Sequence, residues 1–258
     1  MAGGSDGILG GQPSVWAVDD GRRDGAGLPE LEAEIVRCSA CPRLVAWRAE
    51  VAEVKRAAFR DETYWGRPVP GFGDPSARLA VVGLAPAAHG ANRTGRIFTG
   101  DRSGDWLFAS MHRTGFANQP TSVSADDGLG LIGAWVCSAV RCAPPANKPT
   151  PEERDRCLPF LERELHLLAS LGVVVALGRF AYDVVARMYR IPSRPAFGHG
   201  VVVPASYSVA PDGHRAPAIV CSYHPSQQNT FTGKLTESML DSVFHTAAAI
   251  AGADSQGV

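Results

Sequence analysis

Nothing in this chain is long and apolar enough to cross a membrane as a helix: no apolar run reaches the ~18 residues such a span needs. The N-terminus lacks a charged segment followed by an apolar one, so no secretory signal is expected. There is no excess of charge of either sign. Twenty-five Lys and Arg face 26 Asp and Glu, a net charge of −1. This excludes a globally basic polyanion binder, but not an enzyme with a local basic face. No internal repeat is present. The H-x-E and P-C-x-x-C pair of a zinc deaminase is also missing. Cysteine is scarce, with six in 258 residues.

The length favours one large domain with extras over two small ones. A chain of this size buries a substantial core without staples. Its cysteines are therefore expected to serve chemistry or a cofactor, and in an apparently intracellular protein metal or redox work outranks disulfides. Residues 1–27, rich in Gly, Asp and Ser, read as a flexible tail. Residues 28–251 read as a single domain and 252–258 as a second tail.

The pattern from residue 28 onward is helical, then alternating. Leu28–Arg37 reads as a short helix with Pro29 in its first turn, and Pro42 to Phe59 as a second. Residues 60–76 read as a loop of aromatics, prolines and glycines. Apolar runs at 79–83, 134–140 and 173–177 read as strands covered on both faces. Helices follow at about 104–114, from Pro151 with Thr150 as N-cap, and over 178–189. Runs at 201–203 and 218–221 suggest two strands joined by a loop turning at Asp212-Gly213. A last helix spans about 236–251. The expected fold is α/β, a three-layer α/β/α sandwich around a small, mostly parallel sheet. Segments 83–101, 140–149, 178–180 and 223–233 each follow the carboxyl end of a strand, the edge where ligands bind in such sheets.

Cys137 and Cys221 lie inside apolar strands, where a thiol is an ordinary small hydrophobe. Cys38 and Cys41 form a C-x-x-C before a helix. Cys142 opens a proline loop, and Cys157 lies on the helix that folds back beside it. Four thiolates suit Zn²⁺ or an iron–sulfur cluster. The spread of the second pair weakens the zinc reading.

Two loops carry the polar residues. One runs Gly83-Leu84-Ala85-Pro86 through His89, Arg93, Arg96, Phe98 and Asp101. The other runs His224-Pro225-Ser226 through Asn229 to Thr236. With Arg141-Cys142-Ala143-Pro144-Pro145 and the four cysteines in order, they resemble the family 5 (type b) uracil-DNA glycosylases, which carry an iron–sulfur cluster. The resemblance runs from about Cys38 to the last helix. It implies a monofunctional glycosylase that removes uracil, and other deaminated bases such as hypoxanthine, from flipped-out nucleotides as the first step of base excision repair. It implies a 4Fe-4S cluster on Cys38, Cys41, Cys142 and Cys157.

Under that resemblance, Asp101 matches the acid that positions water or stabilises the sugar cation, and His224 would donate a neutral N–H to the leaving base. Phe98 would stack on the base, and Gly83, Leu84, Ala85, Pro86 and His89 would line its pocket. Each residue also has a plainer structural role open to it: Asp101 as a helix N-cap, Phe98 as a core aromatic, His224 as a capped structural histidine. Two departures stand out. Leu84 occupies the position where narrow uracil-specific relatives carry a polar, water-activating residue. Ser138 stands near where many of them place an Asn that reads uracil. Both fit broader base selection.

Arg93, Arg96, Arg102, Arg141, Lys148 and Lys234 are candidate phosphate contacts, with Asn229, Thr230 and Thr232 as neutral ones. Gln227, Gln228 or Leu235 would wedge into the duplex. The expected partner is damaged DNA, single- or double-stranded, bound by a monomer inside the cell, at the nucleoid when on DNA. Two other classes compete. One is a non-catalytic DNA-damage binder in which Leu84 marks lost chemistry. The other is a nucleotide-dependent α/β enzyme, but the first loop lacks the G-x-G-x-x-G that opens directly into a helix.

Overall fold

The computed structural model describes residues 27–207 and 216–253. Six strands form one sheet: β1 (Phe72–Gly73), β2 (Leu79–Gly83), β3 (Ala134–Ser138), β4 (Val173–Leu177), β5 (Val202–Val203) and β6 (Ala218–Ser222). Their order is β1-β3-β2-β4-β6-β5. The central four are parallel, and the two-residue edge strands run antiparallel. Every residue of the central strands is buried, as their unbroken apolar composition demands of strands covered on both faces.

Eight helices accompany them: α1 (Leu28–Arg37), α2 (Pro42–Val54), α3 (Ala91–Thr94), α4 (Arg102–Arg113), α5 (Pro151–Leu167), α6 (Arg179–Met188), α7 (Gln227–Phe231) and α8 (Glu237–Ala253). The two-residue period of a strand sorts the core into two layers. Leu79, Val81, Val136, Val175 and Val220 face α4 and α8. Ala80, Val82, Trp135, Val174 and Ile219 face α1, α5 and α6. The register aligns Val81 with Val136 on one side and Val175 on the other, so each layer is a continuous apolar sheet face. The α/β sandwich read from the sequence is the observed fold.

Several boundaries differ from the sequence reading. α2 stops at Val54, which is 74 % exposed, because its apolar stripe ends there. Lys55 then turns left-handed at φ 57°, and Ala57–Phe59 forms a separate 3-10 turn. β3 ends at Ser138, whose hydroxyl donates to Val140 O at 2.9 Å as the chain bends along the first loop. β1, α3 and α7 arise inside segments expected to be loops. Thr150 caps α5 in a reciprocal capping box with Glu153. The last helix runs on to Ala253, so residues 252 and 253 belong to it. The turn expected at Asp212-Gly213 lies outside the described residues.

Candidate active site and cysteine clasp

The carboxyl edge of the parallel strands gathers three loops. Gly83 ends β2, and a Cβ there would lie 2.6 Å from Phe98 Cζ, so only a glycine lets the ring settle on the strand end. Phe98 has φ 54°, the left-handed region that a side chain enters at a cost of roughly 1–2 kcal/mol. Its ring centre is 5.9 Å from that of His224, with 33° between the planes. Gly178, at the end of β4 with φ +88°, would bring a Cβ within 3.3 Å of His224 Cβ. The ends of β2, β4 and β6 therefore meet around one aromatic pair.

His224 keeps some exposed surface but is surrounded by protein at longer range. That desolvation pulls its imidazole down to about 4, so it is neutral at physiological pH. Its backbone carbonyl accepts from Asn229 Nδ2 at 2.9 Å. Asn229 thus fixes the histidine's loop with the amide expected to contact phosphate. Ser226 caps α7 by accepting from Asn229 N.

Asp101 begins α4. Its Oδ1 accepts from Ser103 N at 2.9 Å and Gly104 N at 3.1 Å. Oδ2 has no hydrogen-bond partner among the described residues and rests on Gly90, where a Cβ would collide with it. Burial raises the carboxyl above its usual range, while the two N–H donors and Arg93 pull it back. The capping role and an available carboxylate oxygen coexist in one side chain. Phe98 and Asp101 are further tied by Gly104, whose missing Cβ leaves room for Phe98 O.

Three of the six arginine and lysine positions expected to hold phosphate are internal braces, and for these three the expectation is corrected. Arg93, with only 9 % of its side chain exposed, pairs with Glu62 at 2.5 Å. It also donates to His89 O and Gly100 O and lies 4.0 Å over the Phe59 ring. Arg96 pairs with Asp127 at 2.8 Å and bonds Thr99, Ser122 and Ala125 O. Arg141 is fully buried against Glu164 at 2.5 Å. Lys234 is exposed, its Nζ 4.8 Å over the Tyr223 ring. Arg102 and Lys148 are also exposed.

His89 packs edge-on to Tyr64, whose hydroxyl lies 3.1 Å from Nδ1. Burial first, then Arg56 and Arg93, lowers its pKa. Ser138 is buried and its hydroxyl is committed to Val140 O, which leaves it no donor to spare for a base. Leu84 O accepts from Val140 N, so the start of the first loop is stitched to the end of β3. Leu235, a candidate wedge, is fully buried in the core against α8 and is ruled out. Gln227 and Gln228 are exposed. The sequence reading passed over Phe231, which is 67 % exposed on α7 and stacked under Arg102 at 4.6 Å.

Cys41, Cys142 and Cys157 form one buried patch with Leu44 and Val140, against which Ala85 of the first loop packs. Cys38, partly buried, caps the end of α1. Each patch sulfur faces a cationic or N–H donor: Arg48 to Cys142 Sγ at 2.8 Å, Arg141 N to Cys157 Sγ at 3.4 Å, and Arg156 to Cys41. Burial pushes the Cys142 thiol up to about 12 against the pull of Arg48. Donors aimed at sulfur match thiolates better than thiols, so the residues fit a thiolate-held group. Among the described residues, no three or more His, Cys, Asp or Glu close around a single metal ion. Arg48 was missed, although it continues the buried helical stripe of Leu44 and Val51.

Residues 70–248 match the model of the uracil DNA glycosylase superfamily. A type-5 uracil-DNA glycosylase of Mycobacterium leprae is 53 % identical over 232 residues, covering 88 % of this chain and 98 % of that one. One from Thermus thermophilus is 49 % identical over 219 residues, 84 % of this chain and 95 % of that one. A type-4 uracil-DNA glycosylase of Archaeoglobus fulgidus is 31 % identical over 122 residues, 47 % of this chain and 53 % of that one. The matches to these two type-5 relatives cover 88 % and 84 % of this chain. The chain belongs to the uracil-DNA glycosylase superfamily, in its type-5 family.

Proposed function

We propose that this chain is a uracil-DNA glycosylase, a hydrolase that cuts the N-glycosidic bond of a base flipped out of DNA, and that it also accepts other deaminated bases such as hypoxanthine. The observation that carries the reading is the convergence of Phe98, His224 and Gly83 at the carboxyl edge, beside an N-capping Asp101 with one oxygen uncommitted among the described residues. Phe98 supplies a flat wall against which a base stacks. As the C1′–N bond breaks, its electron pair goes to the base. A neutral His224 donates an N–H to the oxygen where that charge collects. Asp101, ionised, faces the positive sugar with Oδ2 and holds the water whose oxygen bonds to C1′. The proton lost by that water goes to solvent, and the departing base takes one up. Ser138, committed internally, adds no uracil-specific donor, which supports the wider base range.

Cys38, Cys41, Cys142 and Cys157 would hold a 4Fe-4S cluster. Its chemistry here would be to clamp α1, α2, the loop after β3 and α5 beside Ala85 of the first loop. Arg48 and Arg156 offset thiolate charge, and Arg141 N adds a hydrogen bond.

Release of free base from matched uracil- and hypoxanthine-containing duplexes tests the activity. Uracil release is expected from the wild type and strong loss in Asp101→Asn and His224→Ala. A wild type that binds uracil DNA without releasing base would make the chain a damage binder. Hypoxanthine left intact would restrict it to uracil. Four iron and four sulfide per chain are expected on analysis, and zinc in their place would overturn the cluster.

A further inference from the structure

With Arg93, Arg96 and Arg141 turned inward, the candidates of the edge loops left to meet phosphate are Arg102, Lys148 and Lys234, and a further basic surface lies along α6. A cavity of about 560 Å³ lies along α6, lined by Arg154, Arg179, Arg187, Arg194, Tyr182 and Phe197. Arg179, Asp183 and Arg187 recur at four-residue spacing and lie on one exposed helix face, about 12 Å from end to end.

Charge is not balanced there. Arg154 and Arg187 share Asp155, at 2.8 and 3.0 Å. Arg179 meets Asp183 at only 3.7 Å, both well exposed. Arg194 has no ion pair among the described residues. Four guanidiniums thus face two carboxylates in a chain whose total charge is −1.

The cavity also adjoins the active edge. Arg179 follows Gly178, on which His224 packs. On its other side a row of rings leads to the second loop: Tyr182 to Phe197 at 5.9 Å, then Phe197 to Tyr223 at 6.2 Å, with Lys234 over Tyr223. Tyr182 is anchored by its hydroxyl to Pro195 O at 2.7 Å, which fixes the wall beside Arg194.

We infer that this cavity is a phosphate track for the DNA strand flanking the lesion, gripped chiefly by Arg179 and Arg194. Arginine forks suit phosphate oxygens. The row of rings, buried at Tyr182 and half-buried at Phe197 and Tyr223, ties the cavity wall to the loop that carries His224. The inference rests on the glycosylase reading only for which DNA is bound, and its test does not need catalysis.

Binding of an undamaged duplex over a salt series reads it directly. Each lost phosphate contact lowers the slope of log affinity against log salt by about 0.9. Arg179→Glu with Arg194→Glu should flatten the slope by about two units and weaken binding at least tenfold at low salt. Arg163→Glu, on α5 and outside the cavity, serves as the control and should match the wild type. Thermal melts check that the charge-reversed protein folds. Shortening a uracil duplex on one flank at a time should weaken the wild type strongly on one side and the double variant much less. Slope and affinity equal to the control would overturn the track. Loss of inorganic pyrophosphate binding with duplex binding intact would also overturn it, making the cavity a small-anion site. If the wild type binds duplex with the expected slope but releases no uracil, the glycosylase reading fails while the track stands.

Discussion

The two loops that meet at the sheet edge are built in opposite ways. The first, 83–101, is locked from within. Asn92, Ile97 and Thr99 are buried, Arg93 and Arg96 are spent on internal partners, and Asp101 is tied into α4. The second, 223–235, shows Gln227, Gln228, Phe231, Thr232 and Lys234 to solvent. It is pinned chiefly by Asn229 to His224 O and by Leu235 in the core. A reaction centre needs fixed dipoles, because reorganisation at the moment of reaction is what preorganisation removes. A surface that receives a duplex needs free side chains. Under the proposed function, the same edge would divide the two duties between neighbouring segments.

Breaking the locked loop should produce the largest effect. Arg96→Met leaves Asp127 without its buried partner and should cost about 3–5 kcal/mol in urea unfolding. A loss under ~1 kcal/mol would mean that the first loop is not held as described. His224→Ala should slow single-turnover uracil release about a hundredfold at saturating DNA, the scale of one lost oxyanion donor, with the fold intact by circular dichroism. Phe231→Ala changes the free loop and its exposed contact with Arg102. It should weaken duplex binding by about 1–3 kcal/mol, typical of one base-stacking aromatic, and leave the melting temperature unchanged. An equal effect on stability would erase the contrast between the loops.

The last expectation is set by pH. His224 sits near 4 in the folded chain and near ~6.5 when unfolded. Between those values the unfolded chain binds a proton that the folded one does not. Its contribution to stability is therefore complete above pH 6.5 and lost as pH falls toward 4. His224→Gln should remove that part of the acid sensitivity of the urea midpoint. An unchanged pH profile would place the imidazole in water rather than in the crevice.

Much of this was legible in the chain. Five-residue runs such as Val173–Leu177 have the length and composition of buried parallel strands, and Thr150 before Pro151 announced the start of α5, which the structure completes with a capping box to Glu153. The order of loops at strand ends brought Phe98 and His224 to one sheet edge, where their rings meet. What was not legible was direction. An arginine in a Gly-rich loop reads the same whether it reaches out to phosphate or in to Asp127, because its partner lies 31 residues away. Arg48 was passed over because its sulfur partner lies 94 residues on in the chain. Leu235 and Phe231 are both apolar residues of one loop, yet one is fully buried and the other 67 % exposed. Only the packing of α8 decides between them. Gly128-Leu129-Gly130-Leu131-Ile132-Gly133 has dinucleotide-type spacing but runs into β3 rather than a helix, so it lacks the helix start on which such phosphate binding depends.

The paired rims of the sheet have a consequence for life in a crowded cell. Each ends in a strand only two residues long, running against its neighbour. Stubs of that size offer a foreign backbone almost no rail to zip onto, so the apolar ribbons between them are sealed off from runaway cross-pairing.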